Sequence, residues 1–136
     1  MSIDTLAMGE QMPGGVAARV LVVDDDRGIR GFIEMMLRAE GYDVTTASNG
    51  QEGLSRVTEQ RPDVVLLDLS MPVMTGWEFH ERLREQAPGV PVVYMTAGYS
   101  ARVEAEQHGA DGYLSKPFEV EDLLARVAQF AVERQT

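Results

Sequence analysis

The sequence contains no cysteine. That excludes a disulfide framework and a thiolate metal site, and makes a reducing compartment the simpler setting. No apolar run approaches the roughly 20 residues that a membrane-spanning helix needs, and the N-terminus lacks the basic-then-apolar pattern of a signal peptide. The expectation is a soluble, cytoplasmic protein with no membrane partner. Basic residues are scarce: 12 Lys and Arg stand against 22 Asp and Glu, for a net charge of −10. Binding a phosphate backbone depends on clustered cations, so a nucleic-acid surface is not expected, and metal or basic partners are favoured. There is no GxxxxGK[ST] and no GxGxxG, hence no nucleotide-binding loop.

What is present reads as one domain. A chain of 136 residues that is 44% hydrophobic and 25% charged can bury a core and sits near globular averages. Residues 1–18, with Gly9, Pro13, Gly14 and Gly15 and no helical or strand period, are expected to be a disordered leader. Residues 19–134 form the folded unit.

Within that unit the organising stretch is Val64 to Gly76, VVLLDLSMPVMTG. Four branched apolar residues run into Asp68, the pattern of a fully buried strand that carries one acid to its carboxyl end. Ser70, Met71 and Pro72 turn the chain, and Thr75 with Glu78 predicts a capping box opening the next helix. Two other strands end comparably: Val20 to Val23 lead into Asp24, Asp25 and Asp26, and Val92 to Met95 lead into Thr96. A short strand around Gly112 to Ser115 ends near Lys116. Val44 to Ala47, with its threonines, suits a sheet edge.

Helical patterns separate the strands. Ile29, Phe32, Ile33, Met36 and Leu37 make one apolar stripe stopped by Gly41. Gly50 to Gln60 carries Leu54 and Val57, and Thr75 to Gln86 carries Phe79 and Leu83. Tyr99 to His108 has only Val103 and small alanines to bury, so it is expected to be the least firmly anchored helix. Val120, Leu123, Leu124 and Val127 form the last stripe. Five strands alternating with five helices predict an α/β fold with a parallel sheet covered on both faces. Ligands in such sheets sit outside the carboxyl ends of the strands, where three carboxylates, a hydroxyl and an ammonium would meet.

The motifs VLVVDDD, LLDLSMPVMTG, VYMTA and GYLSKPF, in this order, together resemble the receiver domain of two-component response regulators, over about Arg19 to Glu133. The resemblance implies the flavodoxin-like strand order 2-1-3-4-5. It makes Asp68 the phosphoacceptor, Asp24 and Asp25 the acidic pair that holds Mg²⁺, Thr96 the switch hydroxyl, Lys116 the phosphate-binding amine and Tyr113 the switch aromatic. It also implies a cis peptide before Pro117. Mg²⁺ takes oxygen ligands, which suits Asp25, Asp68 and the Ser70 carbonyl. The implied partners are a sensor histidine kinase or a histidine phosphotransfer protein, and a downstream protein that docks on the face made by residues 99–108, the strand at 112–115 and the last helix. A monomer or weak dimer is expected. The chain stops soon after its last helix, which fits a stand-alone regulator or a piece of a longer one.

Blander roles compete for several residues. Asp24 to Asp26 alone would be an acidic turn capping a helix, Thr96 a strand-end cap, Tyr113 a half-buried strand aromatic and Lys116 a solvated lysine. Trp77 reads as local packing, and His80 and His108 as solvated helix residues. An alternative function is a small aspartate-nucleophile phosphohydrolase, because Asp24-Asp25-Asp26 has that class's DxD spacing, although Gly28 stands where that pattern wants Thr or Val.

Overall fold

A computed structural model of the chain describes residues 17–69, 71, 74–97 and 100–131. The expected leader lies outside these except for its last two residues, and the Ser70 ligand position lies outside them altogether. Ala18 is buried, and its carbonyl accepts a hydrogen bond from Asp43 N.

Five strands and five helices alternate: β1 (Arg19–Val23), α1 (Arg27–Ala39), β2 (Asp43–Ala47), α2 (Gly50–Glu59), β3 (Val64–Asp68), α3 (Gly76–Gln86), β4 (Val92–Ala97), α4 (Ser100–His108), β5 (Gly112–Lys116) and α5 (Val120–Ala131). All strand pairs are parallel and the order is β2-β1-β3-β4-β5. This is the doubly wound order expected.

Strand alternation divides the core in two. Leu21, Val23, Val65, Leu67 and Tyr94 face one layer with Val57, Phe79, Leu83 and Ala105 from α2, α3 and α4. Val20, Val22, Leu66, Met95 and Leu114 face the other with Ile33, Leu37, Leu123 and Val127 from α1 and α5. The central strand β3 is buried at all five residues. Its branched side chains contribute about 1.5–3 kcal/mol each in area terms, which fixes the position of Asp68 at its end.

The helix starts follow the sequence signals. Asp26 caps α1 by accepting from Ile29 N at 3.0 Å. Thr75 and Glu78 form the reciprocal box at α3. The α1 stripe is narrower than its apolar residues suggest: Ile33 and Leu37 are buried, whereas Phe32 is exposed. In α4 the buried residues are Ala101 and Ala105, and Val103 points to solvent.

Candidate functional site at the carboxyl edge of the sheet

β3 and β5 each end in a charged group, and a third, Asp24, follows directly on β1. Counting back by twos, Asp24 follows Val20 and Val22, Asp68 follows Val64 and Leu66, and Lys116 follows Leu114, so all three project on the α1 and α5 side. They meet there. Lys116 Nζ lies 2.8 Å from Asp24 Oδ2 and 3.5 Å from Asp68 Oδ1. Asp24 is 0% exposed and Asp68 4% exposed, so the ammonium offsets charge that water cannot screen.

Asp24 is held from several directions. Its Oδ1 accepts from Asp26 N at 2.8 Å, its carbonyl accepts from Arg30 Nη1 at 2.8 Å, and its own N–H donates to Ala47 O at 3.1 Å. Asp25 is exposed, yet one carboxylate oxygen from each of Asp24, Asp25 and Asp68 lies within 4.8 Å of the others. The acidic run therefore divides its work: Asp26 is the helix cap, and Asp24 and Asp25 belong to the carboxylate cluster.

Burial by itself would lower the Lys116 pKa. The hydrogen bond and charge of Asp24, joined by Asp68, outweigh that and hold it above the ordinary lysine value. The peptide bond between Lys116 and Pro117 is cis, as the resemblance implied. Beside Lys116, a cavity of about 400 Å³ is lined by Ile29, Phe32, Ala97, Pro117 and Phe118.

Gly76 sets the approach of α3 to the site. A Cβ there would lie 2.8 Å from Leu69 Cα and 2.9 Å from Asp68 O, so only glycine lets the helix start this close to the acid-bearing strand end. Its N–H donates to Leu69 O at 3.3 Å.

By strand alternation Thr96 and Tyr113 fall on the other face of the sheet from Asp24 and Asp68. β4 and β5 pair Tyr94 with Tyr113 and Thr96 with Ser115. Thr96 follows Tyr94 by two, which puts it and Tyr113 on the α4 side of the sheet. Among the described residues the Thr96 hydroxyl makes no hydrogen bond, and Tyr113 is 38% exposed. The structure thus brings together Asp24, Asp25, Asp68 and Lys116, and leaves the hydroxyl and the ring on the neighbouring face.

His80 overturns its sequence reading. It is 4% exposed, with Nδ1 2.6 Å from the Tyr94 hydroxyl and the two rings packed edge to face. Burial, reinforced by Arg84, pushes its pKa down to about 4, so the imidazole is neutral at pH 7. Burial likewise pushes Tyr94 up to about 12. The signal was in the spacing: Gly76, Phe79, His80 and Leu83 are all buried and stand at i, i+3, i+4 and i+7, so His80 sits on the core stripe of α3. His108 is also not simply solvated. Its ring stacks on Trp77, with centroids 4.9 Å apart and planes 19° from parallel.

A doubly wound parallel sheet with acids and a lysine gathered at its carboxyl edge defines the class of fold and site. Residues 20–128 match the response regulator receiver domain, and the chain belongs to that family. It is 43% identical over 111 residues to the response regulator MprA of Mycolicibacterium vanbaalenii, covering 80% of this chain and 48% of that protein. It is 44% identical over 119 residues to the transcriptional regulatory protein PrrA of Mycobacterium leprae, covering 85% and 51% respectively. The chain thus spans about half the length of the curated relatives it matches. Among solved structures, the chemotaxis protein CheY4 of Vibrio cholerae superposes with a TM-score of 0.79 at 38% identity, covering 85% of this chain and 99% of that one. The family match does not favour the phosphohydrolase alternative. No helix among the described residues is long and apolar enough to cross a membrane.

Proposed function

We propose that this domain is a phosphoaccepting signalling module in which Asp68 takes a phosphoryl group from a phosphohistidine on a sensor histidine kinase or a histidine phosphotransfer protein. The observation that carries the reading is the Lys116 ammonium placed against Asp24 and Asp68 beside the exposed carboxylate of Asp25. An Asp68 oxygen forms a bond to phosphorus as the P–N bond of the donor breaks, and the departing imidazole nitrogen keeps the electron pair. The product is an acyl phosphate on Asp68. Such transfer requires positioning and charge neutralisation more than covalent help, and β3 supplies the first while Lys116 contributes to the second.

The donor set fits Mg²⁺. Hard carboxylate oxygens within 4.8 Å of one another, two of them buried, suit a small divalent ion that binds one or two carboxylates and keeps several waters. Asp25 and Asp68 would hold it, with Asp24 oriented behind them by Lys116 and Asp26 N and the Ser70 carbonyl as a further ligand. When bound, the ion neutralises charge on the phosphoryl oxygens. Phosphorylation then acts through Thr96 and Tyr113 on the face formed by α4, β5 and α5, where a downstream protein docks. The setting is the cytoplasm, and the domain acts on itself rather than turning over a substrate.

The test is labelling by acetyl phosphate in Mg²⁺, comparing the wild type with Asp68→Asn, which keeps the shape and removes the nucleophile. The variant is expected to stay folded and unlabelled. Undiminished labelling would place the phosphoacceptor elsewhere and end this reading.

A further inference from the structure

One side of α3 carries Trp77, His80 and Arg84 at i, i+3 and i+7, a single stripe. All three are committed to contacts that involve β4 or the end of α4. The Trp77 ring stacks on His108, the last residue of α4. Arg84 Nη2 donates to the His108 carbonyl and, at 3.3 Å, to the Gly109 carbonyl. His80 is hydrogen-bonded to Tyr94, two residues before Thr96 on β4. The α3 helix is thereby fixed to the sheet and also grips the end of α4.

The residues just after α4 reinforce that grip. Gly109 has φ +74°, and a Cβ there would stand 2.8 Å from Arg84 Nη2, so its lack of a side chain admits the guanidinium. Ala110 N donates to Ala105 O at 2.9 Å and Asp111 N to Val92 O at 2.8 Å, while Asp111 Oδ2 accepts from Val92 N at 2.9 Å. The opposite end of α4 is different in kind. Ser100, Arg102 and Val103 are exposed, and only the methyl of Ala101 packs inward in the first turn. An open cleft of about 500 Å³ lies between α3 and α4, with His80 and Tyr94 in its lining and Trp77 and His108 beside them.

We propose that Trp77 and Arg84 are positioning residues of the switch: α4 turns about its C-terminal end, moored on α3 at His108 and Gly109, and its N-terminal turn makes the movement. This rests on the phosphoacceptor reading, because the movement is driven from Asp68 through Thr96. A rigid helix held at one end moves most at the other. His80, hydrogen-bonded to Tyr94 of β4, keeps the α3 post still.

The experiment is amide NMR of the full chain in Mg²⁺ with and without beryllofluoride, a phosphoryl mimic. In the wild type, shift changes at residues 101–104 are expected to be at least threefold larger than at 107–110, with the Trp77 indole signal nearly unmoved. In Trp77→Leu/Arg84→Met the two sets should become comparable, while acetyl phosphate labelling of Asp68 is unchanged. Where the double variant does not fold, Arg84→Met alone is compared, and it should at least halve the ratio. A purely structural role for these residues would lower the melting temperature and leave the ratio intact, which overturns the proposal. Wild-type changes as large at 107–110 as at 101–104 overturn it too, with the phosphoacceptor reading untouched. A wild type that does not respond anywhere overturns both.

Discussion

Lys116 Nζ and Asp24 Oδ2 stand 2.8 Å apart across 92 positions of sequence. The contact ties the end of the last strand to the end of the first. Each partner supports the other: the acids hold the lysine pKa above its ordinary value, and the ammonium offsets the charge of a fully buried Asp24.

Lys116→Met should therefore destabilise the cation-free protein by ~3 kcal/mol, the lower end for breaking a buried pair, since Lys116 is still partly solvated. Mg²⁺ should return much of that loss. In the wild type, Mg²⁺ at about 100 times its Kd should add ~2.7 kcal/mol, because it binds only the folded state. Asp25→Asn should weaken this response and leave the cation-free protein no less stable, as one of three like charges is gone. Urea unfolding with Mg²⁺ or EDTA measures all three. Unfolding curves indifferent to Mg²⁺ would mean that the carboxylate cluster is not a metal site.

Two glycine substitutions should move stability in opposite directions. At Gly31, within α1, a methyl meets nothing within 4 Å, so Gly31→Ala should gain about 0.5–1 kcal/mol from helix propensity. At Gly76 the same methyl meets the backbone of Asp68 and Leu69 below 3.0 Å. Gly76→Ala should cost about 1–3 kcal/mol and slow acetyl phosphate labelling, because the atoms that must yield carry Asp68. Normal labelling of Gly76→Ala would show that the strand end tolerates displacement.

The buried His80 predicts a stability term that depends on pH. Its pKa falls from an ordinary value near 6.5 to about 4 on folding, so between these values the unfolded chain binds more protons than the folded one. Stability must then rise with pH across that window, and be lost as pH falls from about 6.5 toward 4. The size should be on the order of 2 kcal/mol, below the full value of the shift because the site borders an open cleft. His80→Gln keeps a hydrogen-bonding partner for Tyr94 and cannot titrate. The difference between wild type and variant in thermal unfolding, taken from pH 7 to pH 4, isolates the effect, and a difference that does not change with pH would contradict it.

The contrast between Asp68 and His80 shows what was legible. Asp68 and Asp24 follow apolar runs, Lys116 follows a short strand with Leu114 at its centre, and a parallel sheet sends all strand ends to one edge, so their meeting follows from order and spacing. Even their shared face follows, since a period of 2 runs unbroken from Val20, Val64 and Leu114. For His80 residue type and position disagree: a polar imidazole argues for solvent, whereas its place at i+4 from Gly76 and i+1 from Phe79 puts it on the buried stripe. Its partner was a different matter. That Tyr94 would present its hydroxyl to α3 depends on how two elements dock, which no local pattern encodes. The mooring of α4 was hidden for a related reason, because Arg84 reaches backbone carbonyls and Trp77 finds its ring partner 31 positions on in sequence. Apolar content alone therefore underrated how firmly one end of α4 is held.

Thr96 gives the last prediction. By strand alternation it lies on the α4 side of the sheet, one residue beyond Met95, the partner of Asp68 across the strands, and its hydroxyl is hydrogen-bonded to none of the described residues. A phosphoryl group on Asp68 adds negative charge and acceptor oxygens, and the hydroxyl can turn to them without giving up a hydrogen bond to any described residue. Tyr113, on the same face and 38% exposed, would follow into the space vacated. The unmodified protein should already visit the second packing, with phosphorylation shifting the populations by the difference in how tightly each holds the phosphoryl group. Thr96→Ala removes that difference without touching the nucleophile. It should accept phosphate on Asp68 to a similar final extent, yet beryllofluoride should produce amide shift changes across residues 112–118 reduced by half or more. Changes there that match the wild type would show that Asp68 communicates with β5 by a route that does not pass through this hydroxyl.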